Sequence, residues 1–273
     1  MKRLYKIFLL LALVLGVNST LHAQHVISAT GGYGFGSVRL YPSYETLPVT
    51  NCISSGLSWR YYSQERYWGG FGIDLEYVER GFSVAPNGSF TEEGVELEYY
   101  TRDINSLMIP IVWQPHIYTP NHKMRIFIEA AAAFSCDLSS TYDNEVAYNL
   151  GKDDWQGEYS YKLSRDNRFG FGLAFGGGFS VLMRGGWELL VRGRYYFGYS
   201  DVVRNYNSYV NNYNDGSENP FWSTPQRSQL DSFSLSLGLS FRLGSGEGFS
   251  VWNRERINTR DLGQGFDYEG VTK

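Results

Sequence analysis

Near the C-terminus, large apolar residues occupy every second position of one continuous run. Within residues 232–244 the apolar positions are Phe233, Leu235, Leu237, Leu239, Phe241 and Leu243, and the positions between them hold Ser, Gly or Arg. Successive side chains of a β-strand point to opposite faces. This period of two therefore predicts a strand with one apolar and one polar face. The apolar face could cover a soluble core or the exterior of a membrane barrel.

The same alternation recurs in about eight segments, and their linkers alternate in length. The segments lie near residues 26–40, 53–63, 68–84, 104–118, 124–138, 168–183, 187–200 and 232–243. The short linkers are 64–67, 119–123 and 184–186, and the long polar ones are 41–52, 85–103, 139–167 and 201–231. Short turns at one end and long loops at the other are typical of an up-and-down barrel in an outer membrane. A Greek-key sandwich has no reason to place all its long loops at one end. The sequence thus predicts one all-β domain over residues 24–243, an eight-stranded antiparallel transmembrane β-barrel.

The two ends of the chain differ from this domain. Residues 1–23 combine a basic start, an apolar run over 7–17 and small residues up to Ala23, which is the order of a signal peptide. The apolar run is too short to span a bilayer as a helix, and no run of about 18 apolar residues follows it. Residues 244–273 are polar and Gly-rich, so we expect a periplasmic tail. The expected location is the outer membrane.

Charged residues indicate which face of the strands points outward. Sorted by parity, the segments carry bulky apolar groups on one face and small or charged groups on the other. The charged residues assigned to the lumen are Asp74, Glu76, Arg125, Glu129, Arg192 and Arg194. An eight-stranded barrel has an interior just wide enough for side chains, and an Arg on the lipid face costs about 2–4 kcal/mol near the bilayer midplane. We therefore predict that the apolar face meets lipid and that Arg192 and Arg194 pair inside with Asp74, Glu76 or Glu129. The individual pairs stay open.

Little in the sequence suggests catalysis. The histidines after the signal peptide, His25, His116 and His122, all fall near the predicted periplasmic end, and neither a G-x-S-x-G motif nor a cluster with metal-ligand spacing occurs. The Gly-rich runs 30–37 and 168–180 precede no helix, so they do not predict phosphate loops. The formal net charge of −4 gives no basic field for nucleic acid. We expect no enzyme, no cofactor and no metal.

Five motifs spread over the predicted barrel add a further indication. They are DLEYVERG at 74–81, LMIP at 107–110, the apolar strand 126–134, the Gly-alternating strand 169–179 and RYYFG at 194–198. Together they resemble the PorT-type family of outer-membrane β-barrels from Gram-negative bacteria. The chain departs from that family in Asp74 and Arg80, where the family has Glu and Lys, in its longer third and fourth loops, and in its tail. The resemblance implies an integral outer-membrane protein, and the best-studied member is linked to type IX protein secretion.

The last strand also looks like the signal that the barrel-assembly machinery reads. That signal has a polar residue, a glycine two positions later, then an aromatic and a final apolar residue. Ser236, Gly238, Phe241 and Leu243 match it. The expected partners are therefore outer-membrane lipid, this machinery during insertion, and secretion or envelope proteins.

Three interpretations of what the protein is and does fit these observations to different degrees. The first is a structural or accessory role in protein secretion, envelope assembly or surface contact through the long loops, whose Tyr and Asn residues suit contact surfaces. The alternative is a narrow channel for small solutes, which a lumen filled by side chains disfavours. A third interpretation is a soluble secreted β protein.

Overall fold

The computed structural model describes most of the predicted barrel domain. The described residues are 24–41, 46–62, 69–85, 99–120, 123–153, 155–163, 166–204 and 227–243. The predicted signal peptide (1–23), the predicted tail (244–273) and most of the fourth long linker (205–226) lie outside them.

Ten β-strands account for most of the described chain. They are β1 (Gln24–Tyr41), β2 (Thr46–Tyr62), β3 (Gly70–Val84), β4 (Tyr100–Gln114), β5 (His116–Tyr118), β6 (Met124–Asn144), β7 (Gln156–Glu158), β8 (Phe169–Leu182), β9 (Trp187–Asp201) and β10 (Arg227–Leu243). Eight of them form an antiparallel ring in the order β1, β2, β3, β4, β6, β8, β9 and β10, which closes because β10 pairs with β1. The short strands β5 and β7 add to β6. The predicted eight-stranded up-and-down barrel is confirmed.

Four strands extend further towards the long linkers than the alternation predicted. β2 begins at Thr46, β4 at Tyr100 and β10 at Arg227, and β6 continues to Asn144. A short helix, α1 (Glu145–Asn149), and β7 lie within the third long linker. The predicted segment 104–118 is divided after β4 at Pro115, which has no N–H to donate to the ladder. Among the described residues, the structure contains no helix with the length and apolar character of a membrane span.

The apolar face of each strand points out of the ring. Ile128, Leu237 and Phe171 expose 66%, 62% and 58% of their surface, whereas Arg194 and Glu129 expose 1% and 4%. The apolar exterior of β10 runs from Phe233 to Leu243, about the 9–11 residues that a tilted transmembrane strand needs. A soluble sheet of this size would bury these groups, so the exterior fits acyl chains.

The two faces exchange polarity towards the outer end of the barrel. On β3 the outward residues Phe71 and Ile73 are exposed, but beyond Tyr77 the outward residue is Glu79 and the inward residue Phe82 is fully buried. The inward apolar residues at this end form one cluster, made of Val38, Phe82, Val84, Tyr100, Ile104, Val202, Val203 and Leu230. The sheet therefore has a polar exterior and an apolar interior here, as in a soluble protein. The strand ends that the alternation missed lie in this part, above the apolar band.

Candidate functional site in the barrel lumen

Three arginines and three carboxylates form a buried cluster inside the membrane-spanning part of the barrel. The cluster consists of Arg60, Asp74, Glu76, Glu129, Arg192 and Arg194, each 5% exposed or less. Asp74 lies 2.8 Å from Nη1 of Arg194 and 3.3 Å from Nη1 of Arg192, and it also pairs with Arg60. Glu76 lies 2.6 Å from Nη2 of Arg192 and 2.8 Å from Nη1 of Arg194, and it accepts a hydrogen bond from the Tyr196 hydroxyl. The arginines of β9 therefore bind the carboxylates of β3.

These ion pairs cross the lumen. β3 and β9 stand four places apart in a ring of eight, so they face each other. The cluster holds equal numbers of positive and negative groups, and a buried ion pair is tolerated when each charge has its partner. The chemistry of the cluster is structural, since it joins opposite walls and fills the space between them.

A glycine on β8 makes room for one of these pairs. Gly176 is the residue paired with both Glu129 on β6 and Arg194 on β9. Across it, Nε of Arg194 lies 2.5 Å from Oε1 of Glu129. A Cβ at Gly176 would come to 3.0 Å from this carboxylate oxygen. The Gly alternation of β8 thus leaves the inner wall open for the arginine.

Arg125 lies in a second group, closer to the periplasmic end. Its Nη2 is 2.7 Å from Glu188, which also pairs with Arg242, and its guanidinium carbon lies 4.3 Å from the Tyr62 ring centroid. The two groups are linked, because Tyr62 donates to Gln114. Gln114 in turn donates to Glu129 at 3.4 Å. The structure therefore divides the six predicted lumen residues into five in the central cluster and Arg125 in this second group.

Several charged residues of the lumen were missed by the sequence analysis. They are Arg60, Arg102, Asp137 and Glu188, all at inward positions; Arg80 and Arg242, which parity had placed on the polar faces of their strands, also lie in the lumen. Parity alone would have identified most of them, since Glu188 has the same parity as Arg192 and Arg194 on the same strand.

A third pair lies above the central cluster. Nη2 of Arg80 is 2.9 Å from Asp137, and the Ser106 hydroxyl donates to the same carboxylate at 2.7 Å. A cavity of about 30 Å³ lies beside this pair, behind the glycines at the start of β8. It has room for only a couple of water molecules.

Arg102 occupies the outer end of the lumen, next to the apolar cluster. It is fully buried, and its Nε donates to the Ser140 hydroxyl at 2.9 Å. Its guanidinium carbon lies 3.6 Å from the ring centroid of Tyr159. The Tyr159 hydroxyl donates to the buried Asp166 at 2.9 Å. This tyrosine comes from the segment after β7, so part of the third long linker covers the lumen.

The four residues that match the assembly signal lie on β10, beside the β1–β10 seam. Ser236 is buried and its hydroxyl lies 3.3 Å from the Arg192 carbonyl. Gly238 pairs with Thr30 of β1. Phe241 and Leu243 lie on the exposed exterior, where Phe241 packs on Trp187 with ring centroids 5.0 Å apart. They face both sides of the strand and form no common pocket.

The described histidines lie where the topology predicted. His25 pairs with Leu243 near the periplasmic end of β1, and His116 follows β4 at the same end; His122 is outside the described residues. Within the described ranges, no group of three His, Cys, Asp or Glu side chains gathers as a metal site.

Comparison with known proteins identifies one family. Residues 21–204 match the family described as "Outer membrane protein beta-barrel domain". No curated protein sequence matches the chain. Among solved structures, Ail of Yersinia pestis is similar at 12% identity and a TM-score of 0.38, covering 82% of this chain and 100% of Ail. Neisserial surface protein A (11%, TM-score 0.38, 80% and 97% coverage) and the N-terminal barrel of Pseudomonas aeruginosa OprF (12%, TM-score 0.30, 82% and 98% coverage) are also similar.

Proposed function

Because the chain belongs to the outer membrane protein β-barrel domain family, and so resides in the outer membrane, we propose that it acts there as a closed barrel with a structural or accessory role. Proteins of this family are barrels and not enzymes. The observation that supports a closed barrel is the filling of the lumen at successive heights. From the periplasmic end upward these are the Arg125–Glu188 group, the central ion pairs, the Arg80–Asp137 pair and the outer apolar cluster.

The segments expected to contact partners in the accessory role are residues 205–226 of the fourth long linker and the tail 244–273. The resemblance to PorT-type barrels supports a place in protein secretion or envelope assembly, and the long loops offer surface for contacts. The apolar exterior takes up outer-membrane lipid. Ser236, Gly238, Phe241 and Leu243 are proposed to be read by the barrel-assembly machinery during insertion.

Conductance in planar bilayers tests the closed barrel. The purified protein is expected to give no steady channels, because the ion pairs join opposite walls. Steady channels from the unaltered protein would refute the proposal.

Crosslinking in native membranes tests the accessory role. Secretion or envelope proteins are expected among the captured partners, and they should be lost when residues 205–226 or 244–273 are deleted. A deletion within the short turn at 184–186 is the control, because it shows whether a change elsewhere in the barrel is enough to abolish capture. Capture that persists without both segments would contradict the role assigned to them.

A narrow channel is the second candidate function. The observation that favours it is the sharing of Asp74 and Glu76 among several arginines, since shared pairs can exchange partners. In that case wild-type channels are expected to change in conductance when Arg192 or Arg194 is replaced by Met. Substitution of the exposed Arg227 is the control.

A further inference from the structure

Arg102 differs from the other arginines of the lumen. Arg60, Arg80, Arg125, Arg192, Arg194 and Arg242 each form an ion pair with a carboxylate. Arg102 is equally buried, yet it forms no ion pair with any residue that the structure describes. Its Nε is used by Ser140, whereas Nη1 and Nη2 have no hydrogen-bond partner. Two donors of an unpaired buried cation are thus unsatisfied; Arg125 also has two such donors, but Glu188 balances its charge.

A second unsatisfied donor lies beside it. The ring centroid of Tyr161 is 5.3 Å from the guanidinium carbon of Arg102, and the buried Tyr161 hydroxyl has no hydrogen bond of good geometry, although the Arg102 and Ser140 side chains lie close enough to lower its pKa. Burial, the largest cause, raises the pKa of this hydroxyl, so it stays protonated at neutral pH and can donate. The outer end of the lumen therefore holds a positive charge and three unused donor atoms.

We propose that the outer mouth of the barrel binds an oxyanion group, with Arg102 as its binding residue and Tyr161 as a second donor. The two Nη atoms of a guanidinium present parallel N–H bonds that match the two oxygens of a carboxylate, phosphate or sulfate. Such a group supplies both the missing charge and the missing acceptors. Carboxylate, phosphate and sulfate groups share this chemistry, and the test measures the binding of each one separately.

Access to the site passes through the segment 155–163, which we call the Tyr159 strap. The strap contacts the ring through β7, whose three exposed residues pair with the end of β6, and through Tyr159, which is 8% exposed. Opening of the strap breaks these contacts and the Tyr159 hydrogen bonds to Asp166 and Ser140, and Tyr161 moves with it, so the Tyr161 hydroxyl donates to the bound group once the strap closes again. Movement of Tyr159 away from the guanidinium uncovers Arg102 and leaves the eight-stranded ring intact.

Isothermal titration calorimetry on the purified full barrel in detergent micelles tests the proposal. Sodium acetate, phosphate and sulfate are titrated separately, with sodium chloride at matched ionic strength as the reference. Saturable binding is expected for at least one of the three. Arg102→Met is expected to weaken it at least tenfold. Tyr161→Phe, which keeps the ring and removes the donor, is expected to weaken it about tenfold or more, as loss of one hydrogen bond to a charged group implies. Arg227→Met, at an exposed arginine of the same end, is the control and should bind like the wild type.

A stability measurement distinguishes binding from a structural role. Arg102→Met removes an unpaired buried charge, so its urea midpoint in the absence of oxyanion is expected to equal or exceed that of the wild type. Absence of saturable binding for all three anions would overturn the proposal. So would unchanged binding by Arg102→Met, or a large loss of stability in that variant with binding retained by Tyr161→Phe at wild-type strength.

Discussion

Replacement of Arg194 by Met tests whether the central ion pairs hold the barrel together. Arg194 contacts three carboxylates, at 2.8 Å from Asp74 and Glu76 and 2.5 Å from Glu129. Without it, Asp74 keeps Arg60 and Arg192, and Glu76 keeps Arg192 and Tyr196. Among the described contacts, Glu129 keeps only the Gln114 amide at 3.4 Å. The substitution therefore leaves one buried carboxylate without a cation.

The expected loss follows from that unpaired charge. Breaking a buried pair by removing one partner costs about 3–5 kcal/mol of unfolding free energy. Glu129→Gln in the wild-type background is also expected to destabilise, since it removes one pair and unbalances the cluster. In the Arg194→Met background the same change removes the unpaired charge, so it is expected to restore about 1–3 kcal/mol. The sign of the Glu129→Gln effect should thus reverse between the two backgrounds.

Urea unfolding in detergent micelles, followed by far-UV circular dichroism, measures all four corners of this double-mutant cycle. Arg227→Met is the control, because its pair with Asp201 at 3.3 Å is half exposed and such pairs contribute about 0–1 kcal/mol. If Glu129→Gln destabilises both backgrounds by the same amount, the pairing between Arg194 and Glu129 carries no coupling energy and the reasoning is wrong.

Three further substitutions test other parts of the structure. Ile128 lies on the lipid face and is 66% exposed, so Ile128→Arg is expected to lower the free energy of unfolding from lipid bilayers by about 2–4 kcal/mol. Asn105 also points outward but lies above the apolar band, so Asn105→Arg should lower it by only about 0–1 kcal/mol. Gly178→Ala is expected to lower the free energy of unfolding by about 1–3 kcal/mol, because the new Cβ would clash with the Val191 carbonyl. Gly31→Ala should be neutral or slightly stabilising in the same unfolding experiment, because a Cβ at Gly31 meets nothing within 4 Å. Burial raises the pKa of Asp103, and the charges of Glu79 and Asp143 raise it further. A raised carboxyl pKa penalises the folded state only at higher pH, so Asp103→Asn should raise the urea midpoint at pH 7 and lose this gain below about pH 3.9. Asp153→Asn is the control, and a gain that persists at acidic pH would contradict the charge argument.

The sequence was sufficient to predict the fold within the bilayer. Lipid outside and a narrow lumen inside impose a strict period of two, so Leu237 and Ser236 could be assigned to opposite faces from parity alone. The strand ends were predicted less well, because the polarity of the faces reverses above the apolar band. On β10, Leu230 is apolar and inward, which breaks the pattern that Leu235 and Leu237 establish, and the predicted strand began only at Ser232. A search for one constant pattern ends the strand at such a point.

The sequence predicted which charged residues face the lumen, but not which of them pair with each other. Parity places Arg194 and Glu129 inside, but their pairing depends on β8 standing between their strands with Gly176 at the level of both. The separation of Arg125 from the central cluster depends in the same way on the height of Glu188 in the ring. The part played by Tyr159 depends on the path of the third long linker, which has no periodic pattern to read.

Membrane insertion explains the paired arginines that lie within the apolar band, but it does not explain the arginine that lies beyond the polarity reversal. Within the bilayer a charged side chain must lie inside the barrel and be paired, so the lipid surroundings alone account for the pairing of Arg192, Arg194 and Arg125. Arg102 lies beyond the reversal, beside an apolar cluster with a polar exterior around it. Nothing in the requirements of a membrane span places an unpaired arginine there, and an apolar residue would complete the cluster at lower cost. The outer mouth is therefore the part of the barrel whose residues call for a function beyond folding and insertion.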